Sequence, residues 1–242
     1  LELSNKNAKE YRFNSLKQRE HTNPQEFRLT VLEELRKAIG LKELPTHIEC
    51  FDNSNIQGTN PVASCVVFRD GEPSKKDYRK FKIKTVIGAN DYASMKEVVR
   101  RRYLRMQEEN TSFPNLIIAD GGVGQMEAIR QIVEDELHLN IPIAGLVKND
   151  KHRTNELLFG FPPQSIGLKV TDDTFKFLAQ VQDEVHRFAI AFHRKKRSKS
   201  QIKSELDEVK GIGEQSKNLL IKHFKSLKRA KEADFIELEN LL

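Results

Sequence analysis

Two short apolar runs in this chain each stop on an aspartate. Ile48-Glu49-Cys50-Phe51 leads into Asp52, and Leu116-Ile117-Ile118-Ala119 leads into Asp120. Runs of this length and composition read as strands. Asp52 stands where the apolar run gives way to the polar turn Asn53-Ser54-Asn55-Ile56-Gln57-Gly58, a place where a carboxylate leaves the core and faces a site. Asp120 is followed directly by Gly121-Gly122. A lone aspartate at a strand end is most often a turn or cap residue. Two of them on neighbouring parallel strands would stand side by side, and two carboxylates at close range call for a divalent cation. Hard oxygen ligands suit Mg²⁺ or Mn²⁺, and such a pair points to metal-dependent phosphodiester cleavage.

The elements around these strands set the fold class. Phe27 to Ile39 has helical spacing, and Gly40 ends it. Val62 to Phe68 is strongly β-forming and forms a hairpin with the first strand. Tyr78 to Thr85, alternating Phe81 and Ile83 with lysines, reads as a third antiparallel strand. A helix follows over Tyr92 to Gln107, with Asn90 or Asp91 as N-cap and Val98, Val99 and Leu104 as its buried positions. After the Asp120 strand come a helix from about Gln125 to Leu137, a strand from Ile143 to Val147, and a small strand at Leu157-Leu158-Phe159 broken by Phe161-Pro162-Pro163. Thr174 to Arg194 is a long helix with a stripe of Leu178, Val181, Val185, Phe188 and Phe192. His186 lies just off that stripe, beside Gln182 and Ile190. Three strands, a helix, a strand, a helix, a strand and a helix make an α/β mixed sheet with helices on its faces. That is the element order of an RNase H-like domain.

The composition changes after Ser198. Ser204 to Val209, Glu214 to Phe224 and Ala230 to Leu242 read as helices, and Lys210-Gly211-Ile212-Gly213 is a tight turn between the first two. This is a helix-hairpin-helix pattern, whose backbone N–H groups at a helix N-terminus hold a DNA phosphate without reading sequence. The expected domains are a connector and helix at 1–44, an RNase H-like endonuclease domain at 45–199 and a small all-α helix-hairpin-helix domain at 200–242. The first of these starts at Leu1 without Met, so a piece of a longer protein is expected.

Charge and cysteine usage narrow the partners. The net charge is +6, and its clustering says more than its total. Arg100-Arg101-Arg102 with Arg105, Lys148, and Arg194-Lys195-Lys196-Arg197 are candidate contacts to a phosphate backbone, joined by Lys210, Gly211 and Gly213 of the hairpin. A solvated helix face is the ordinary explanation of such runs. Cys50 and Cys65 lack metal-type spacing and are expected to be buried, reduced and inert. No apolar stretch approaches the roughly 18 residues of a membrane span, and the polar N-terminus lacks a signal peptide, so a cytoplasmic protein with no membrane partner fits. Asp91 reads from spacing as an N-cap. His186 is a candidate third ligand or proton donor, with His152 and His193 behind it. Gly121-Gly122-Val123-Gly124 invites a dinucleotide site but lacks the G-x-G-x-x-G pattern. These glycines are expected to admit a metal-bound phosphate or to let the helix pack tightly.

Taken together, these residues resemble the C-terminal half of UvrC, the endonuclease subunit family of nucleotide excision repair. The likeness runs over about residues 45–197. It rests on Ile48-Glu49-Cys50-Phe51-Asp52, Val62 to Phe68, Asp91-Tyr92-Ala93-Ser94-Met95, Arg101-Arg102-Tyr103, Asp120-Gly121-Gly122, Gly124-Gln125, Asp183-Glu184-Val185-His186 and His193-Arg194-Lys195-Lys196-Arg197, and it continues into the Gly211–Gly213 turn. The resemblance implies an RNase H-like endonuclease that makes the 5′ incision beside a lesion in a damaged DNA duplex. By matching position it implies catalytic Asp52, Asp91, Asp120 and His186. Asp52 and Asp120 are expected to hold the metal directly, with His186 as a further metal ligand or as the proton donor to the leaving oxygen. The family ends in two helix-hairpin-helix units, of which one Gly-Ile-Gly turn is visible here. Its N-terminal nuclease, responsible for the 3′ incision, and its segment for the damage-loading partner UvrB are expected to lie outside this sequence. A rival reading is a non-catalytic DNA-binding module with a degenerate RNase H-like fold, its carboxylates acting only as caps.

Overall fold

The computed structural model describes residues 23–54, 62–86, 90–149, 154–207, 213–224 and 227–241, without the side chains of 54 and 192–207 and of some positions beyond 213. The expectations for the N-terminal connector, the turn after Ser54, His152, Lys210 and Gly211, and for the side chains of Phe192, His193, Arg194, Lys195, Lys196 and Arg197, lie outside the described residues. The chain divides into two compact units, residues 1–189 and 190–242.

The first unit is built on an eight-stranded sheet. Its strands are β1 His47–Ser54, β2 Val62–Arg69, β3 Glu72–Pro73, β4 Arg79–Lys82, β5 Leu116–Ala119, β6 Ile143–Lys148, β7 Thr154–Phe159 and β8 Gln164–Ile166. The order across the sheet is β3-β2-β1-β5-β6-β7-β8, with β4 also paired to β2. β1 pairs with β2 antiparallel, as the hairpin reading expects, and β2 pairs the same way with β4. β1–β5 and β5–β6 are parallel, whereas β6–β7 and β7–β8 are antiparallel. The central strands are buried on both faces, so β2 and β5 read as nearly unbroken apolar runs. β8 was not foreseen, because three residues after a proline turn carry no alternation to read.

Four helices accompany the sheet: α1 Pro24–Ile39, α2 Asp91–Glu108, α3 Val123–Arg130, which runs on as a π-turn over Gln131–Glu136, and α4 Asp173–Asp207. α1 starts a turn earlier than apolar spacing indicates. The Asn23 side chain accepts from Glu26 N at 3.3 Å, and Pro24 supplies a preset first residue. Gly40, at φ 69°, closes it. In α2 the N-cap is Asn90, which accepts from Ala93 N at 3.0 Å. Its buried stripe is Met95, Val98, Val99, Tyr103 and Met106, whereas Leu104 is 39% exposed. Leu104 is a correction: six residues beyond Val98 it has rotated well off the inward face.

α2 and α4 cover opposite faces of the sheet. Phe51 meets Tyr103 of α2 edge-on, and Phe68 meets Phe177 of α4. On α4, Leu178, Val181 and Val185 are buried, as the stripe predicts. The third strand stops at Lys82 rather than Thr85. The backbone N–H groups of Lys84 and Thr85 turn away from the ladder and each donates to the Glu97 carboxylate at 2.9 Å.

In the second unit, α5 Glu214–Phe224, α6 Leu227–Glu232 and α7 Phe235–Leu241 share a small core. Leu220 and Phe224 pack there against Ala230, Ala233, Leu238 and Leu241. The single helix expected from Ala230 is two, divided at Ala233 and Asp234. The short helix expected from Ser204 is instead the end of α4.

A fully buried carboxylate sits inside the first unit. Glu49, in the middle of β1, is 0% exposed. Arg102 of α2 grips its carboxylate through two nitrogens, and Tyr103 Oη donates to Oε2 at 3.2 Å. His47 Nε2 stands 3.3 Å from Oε1. Burial pushes the Glu49 carboxyl up, but the His47 and Arg102 contacts outweigh it and hold the group below its ordinary value. Removing one partner leaves a buried charge uncompensated. Arg102→Leu is therefore expected to destabilise the fold by about 3–5 kcal/mol in urea unfolding near neutral pH. Because Glu49 binds its proton less readily when folded, its contribution is complete above the ordinary value of 4.5 and is lost as pH falls below it. Acid unfolding curves of Glu49→Gln should accordingly be shallower than those of the parent chain.

Candidate active site

The register between β1 and β5 places Phe51 beside Ala119, so the two strands end together. Asp120 N donates to Phe51 O at 2.8 Å, which carries the parallel ladder one residue further and sets Asp120 next to Asp52. Both side chains lie on the face that α4 covers. Asp52 is opposed by Ser64 across the hairpin, and Ser64 Oγ donates to Val185 O of α4 at 3.5 Å. The next residue on α4, His186, brings its Nδ1 to 3.8 Å from Asp52 Oδ2. One ligand atom from each of Asp52, Asp120 and His186 lies within 4.8 Å of the others, the grouping among the described residues able to hold a metal ion. Two carboxylates and one imidazole suit a hard or borderline divalent cation. Asp52 is 7% exposed, and the side chain of His186 is 55% exposed, so the site is walled by the sheet and open on the histidine side.

Each oxygen of Asp120 has a donor. Gln182 Nε2 donates to Oδ1 at 2.6 Å, and Lys148 Nζ, at the end of β6, stands 2.9 Å from Oδ2. Gly145 of β6 makes room for this loop. A Cβ at that position would fall 2.8 Å from the carbonyl oxygen of Gly121 and 2.7 Å from Met126 Sδ. Gly124 has a similar role as the second residue of α3, where a Cβ would meet the Tyr92 ring at 2.4 Å. Of the two purposes expected for the glycines, close packing is the one met at Gly124.

Asp91 comes from the other face. It is the first residue of α2, and its backbone carbonyl accepts from Asn53 Nδ2 at 2.6 Å. Adjacent residues of a strand point to opposite sides. Asp52 thus faces α4 while Asn53 secures the start of α2. The carboxylate of Asp91 is outside the group of three.

A family model for the UvrC RNase H endonuclease domain matches residues 36–190. The UvrABC system protein C of Bacteroides thetaiotaomicron is 60% identical over all 242 residues of this chain, which cover 40% of that protein. Its counterpart in Bacteroides fragilis is 59% identical over the same span. That of Streptococcus equi subsp. zooepidemicus is 55% identical over 210 residues, 87% of this chain and 35% of the relative. The chain belongs to the UvrC family. It spans about two fifths of the length of these relatives. Residues 36–190 carry the UvrC RNase H endonuclease domain, built on the RNase H-like mixed sheet. A solved structure of endonuclease V from Ciona intestinalis is similar at a TM-score of 0.34 and 16% identity, covering 50% of this chain and 55% of that one.

The clustered arginines expected to meet a phosphate backbone lie on α2, and the structure divides them. Arg102 is a correction to the expected phosphate contacts: its side chain is 11% exposed and turns inward to Glu49. Arg100 pairs with Glu136, Arg101 reaches Glu97 and the Lys82 carbonyl, and Arg105 pairs with Glu109 at 2.7 Å. Arg105 keeps 70% of its side chain exposed. Cys50 and Cys65 are free and buried. Burial, then the charges of Asp120 and Asp52, hold the Cys50 thiol far above its ordinary range, so it stays a neutral thiol beside the carboxylates. Among the described residues no helix is long and apolar enough to cross a membrane.

Gln182 is the residue at this site that the sequence reading missed. The signal was present: Gln182 is one turn beyond Leu178 and one before His186 on the buried side of α4, where an amide calls for polar partners. The tightest backbone approach generates a prediction. Gly145→Ala should displace the Gly121 carbonyl and with it Asp120. A loss of about 1–3 kcal/mol is expected in thermal unfolding, together with weakened Mn²⁺ uptake in a calorimetric titration.

Proposed function

We propose that this domain is a divalent-cation-dependent DNA endonuclease that makes the 5′ incision beside a lesion. The observation that carries the reading is the convergence of Asp52, Asp120 and His186 within 4.8 Å at the ends of two parallel strands. Asp52 and Asp120 would hold Mg²⁺ or Mn²⁺ directly, and His186 would complete the set or protonate the leaving oxygen. The bound cation supplies Lewis-acid polarisation of a phosphate oxygen and a water of lowered pKa. Everything else falls to the chain. His186, on the open side, has room to move a proton at the leaving oxygen. Asp91, whose backbone carbonyl is tied to β1 through Asn53, would act as a further acidic ligand or orient the attacking water. Lys148, beside Asp120, is suited to neutralise phosphate charge.

A damaged duplex is the proposed substrate. Its backbone would be held by exposed cations such as Arg100 and Arg105, by the basic run Arg194, Lys195, Lys196 and Arg197, and by Lys210, Gly211 and Gly213 of a helix-hairpin-helix at 200–242, with the nuclease domain at 45–199. In the full-length protein UvrB would deliver the lesion. Two features support the binding role: these contacts need no sequence readout, and the chain carries a net charge of +6.

The test is nicking of a lesion-bearing duplex with Mn²⁺ or Mg²⁺ at low salt, with UvrB added in a parallel arm. Asp52→Ala is expected to reduce nicking to background while leaving duplex affinity nearly unchanged, because binding rests on the cations. Asp91→Asn should lose only part of the rate. Full nicking by Asp52→Ala would sink the assignment, and binding that ignores both the metal and the loss of Asp120 would favour a non-catalytic module.

A further inference from the structure

Gln182 is fully buried, and each of its polar functions is engaged. Nε2 donates one hydrogen to Asp120 Oδ1 at 2.6 Å and the other to the Leu146 carbonyl of β6 at 2.9 Å. Oε1 accepts from the hydroxyl of Thr154, the first residue of β7. The amide therefore cannot turn over without breaking all three bonds, and its donor face is fixed on Asp120 by two strands. It also lies one helical turn before His186, so the segment of α4 that brings the imidazole to Asp52 brings the amide to Asp120. A neutral donor at Oδ1 orients the carboxylate without cancelling its charge, while Lys148 Nζ stands 2.9 Å from the other oxygen, Oδ2.

We infer that Gln182, anchored by Thr154, is the positioning residue of the metal centre: it fixes the Asp120 carboxylate in the orientation that receives the cation. This rests on the proposed cation site, and a partner of this kind is worth about 10–100-fold in metal affinity. Gln182→Met keeps the size and shape of the side chain and removes the donor. Thr154→Val removes the hydroxyl that fixes the amide and spares Gln182 itself. Leu35→Ala, which opens the remote core of α1, serves as a control for destabilisation alone.

The experiment is direct Mn²⁺ binding by calorimetry and by the Mn²⁺ EPR signal on the 242-residue chain. Circular dichroism confirms that each variant is folded at the working temperature. The expected result is a Kd raised about 10–100-fold in Gln182→Met, a smaller rise in Thr154→Val, and an unchanged Kd in Leu35→Ala. Parent-like Mn²⁺ affinity in folded Gln182→Met would overturn the inference. So would an equal shift in Leu35→Ala, which would reduce the effect to general destabilisation. If Gln182→Met does not fold, an unchanged Kd in Thr154→Val overturns it. Failure of the parent chain to bind Mn²⁺ would instead bring down the cation site on which the inference stands.

Discussion

The parallel pairing of β1 with β5 is the constraint on which the site depends. The hairpin of β1 with β2 is local, but the β1–β5 ladder joins residues almost seventy positions apart in the chain, and its last hydrogen bond, from Asp120 N to Phe51 O, lies at the edge of the site. A slip of one residue would turn Asp120 to the other face of the sheet. Register is held by burial on both sides: Phe51, Ile117 and Ile118 are buried without remainder, so no alternative pairing hides the same apolar surface. The cost of bringing two carboxylates together is met by the surroundings of Asp120, where an amide and an ammonium each address one oxygen.

β1 organises both layers. Asp52 faces α4, Asn53 holds the N-terminus of α2, and Glu49 binds Arg102 and Tyr103 of the same α2. α2 is thus tied to β1 at two points, about a strand half-length apart, by polar contacts in an otherwise apolar interface. Such contacts fix rotation and translation along the helix axis in a way that interchangeable apolar packing does not. The buried Glu49 cluster and the carboxylate site lie on opposite faces of one strand, which keeps the structural charge separate from the reactive ones.

Gly124 and Gly145 let neighbouring elements close on the loop that bears Asp120. α3 begins close under Tyr92, and β6 passes close beneath the Gly121 carbonyl. The loop that bears Asp120 is therefore enclosed by packing rather than left as a free surface turn, and its carboxylate is 5% exposed.

Much of this was legible in the sequence because it is local. Alternation and β-branched runs marked β1, β2, β5 and β6, apolar spacing marked α1, α2 and α4, and the two aspartates at strand ends announced a site. Leu104, the break at Ala233 and the missed β8 show where local pattern ran out, since each depends on what lies opposite. The arginine run is the clearest case. Three consecutive arginines are chemically equal in the sequence, yet a helix sends them about 100° apart, so Arg102 enters the core while Arg100 and Arg101 remain at the surface. The sequence by itself determined most of the strands and helices and which side chains can bind a cation. Tertiary structure alone decided that Asp52, Asp120 and His186 share one point, that Asp91 is not part of that group, and that Gln182 aims at Asp120. These are contacts between segments far apart in the chain, set by strand register and helix rotation, and only the packed sheet supplies either.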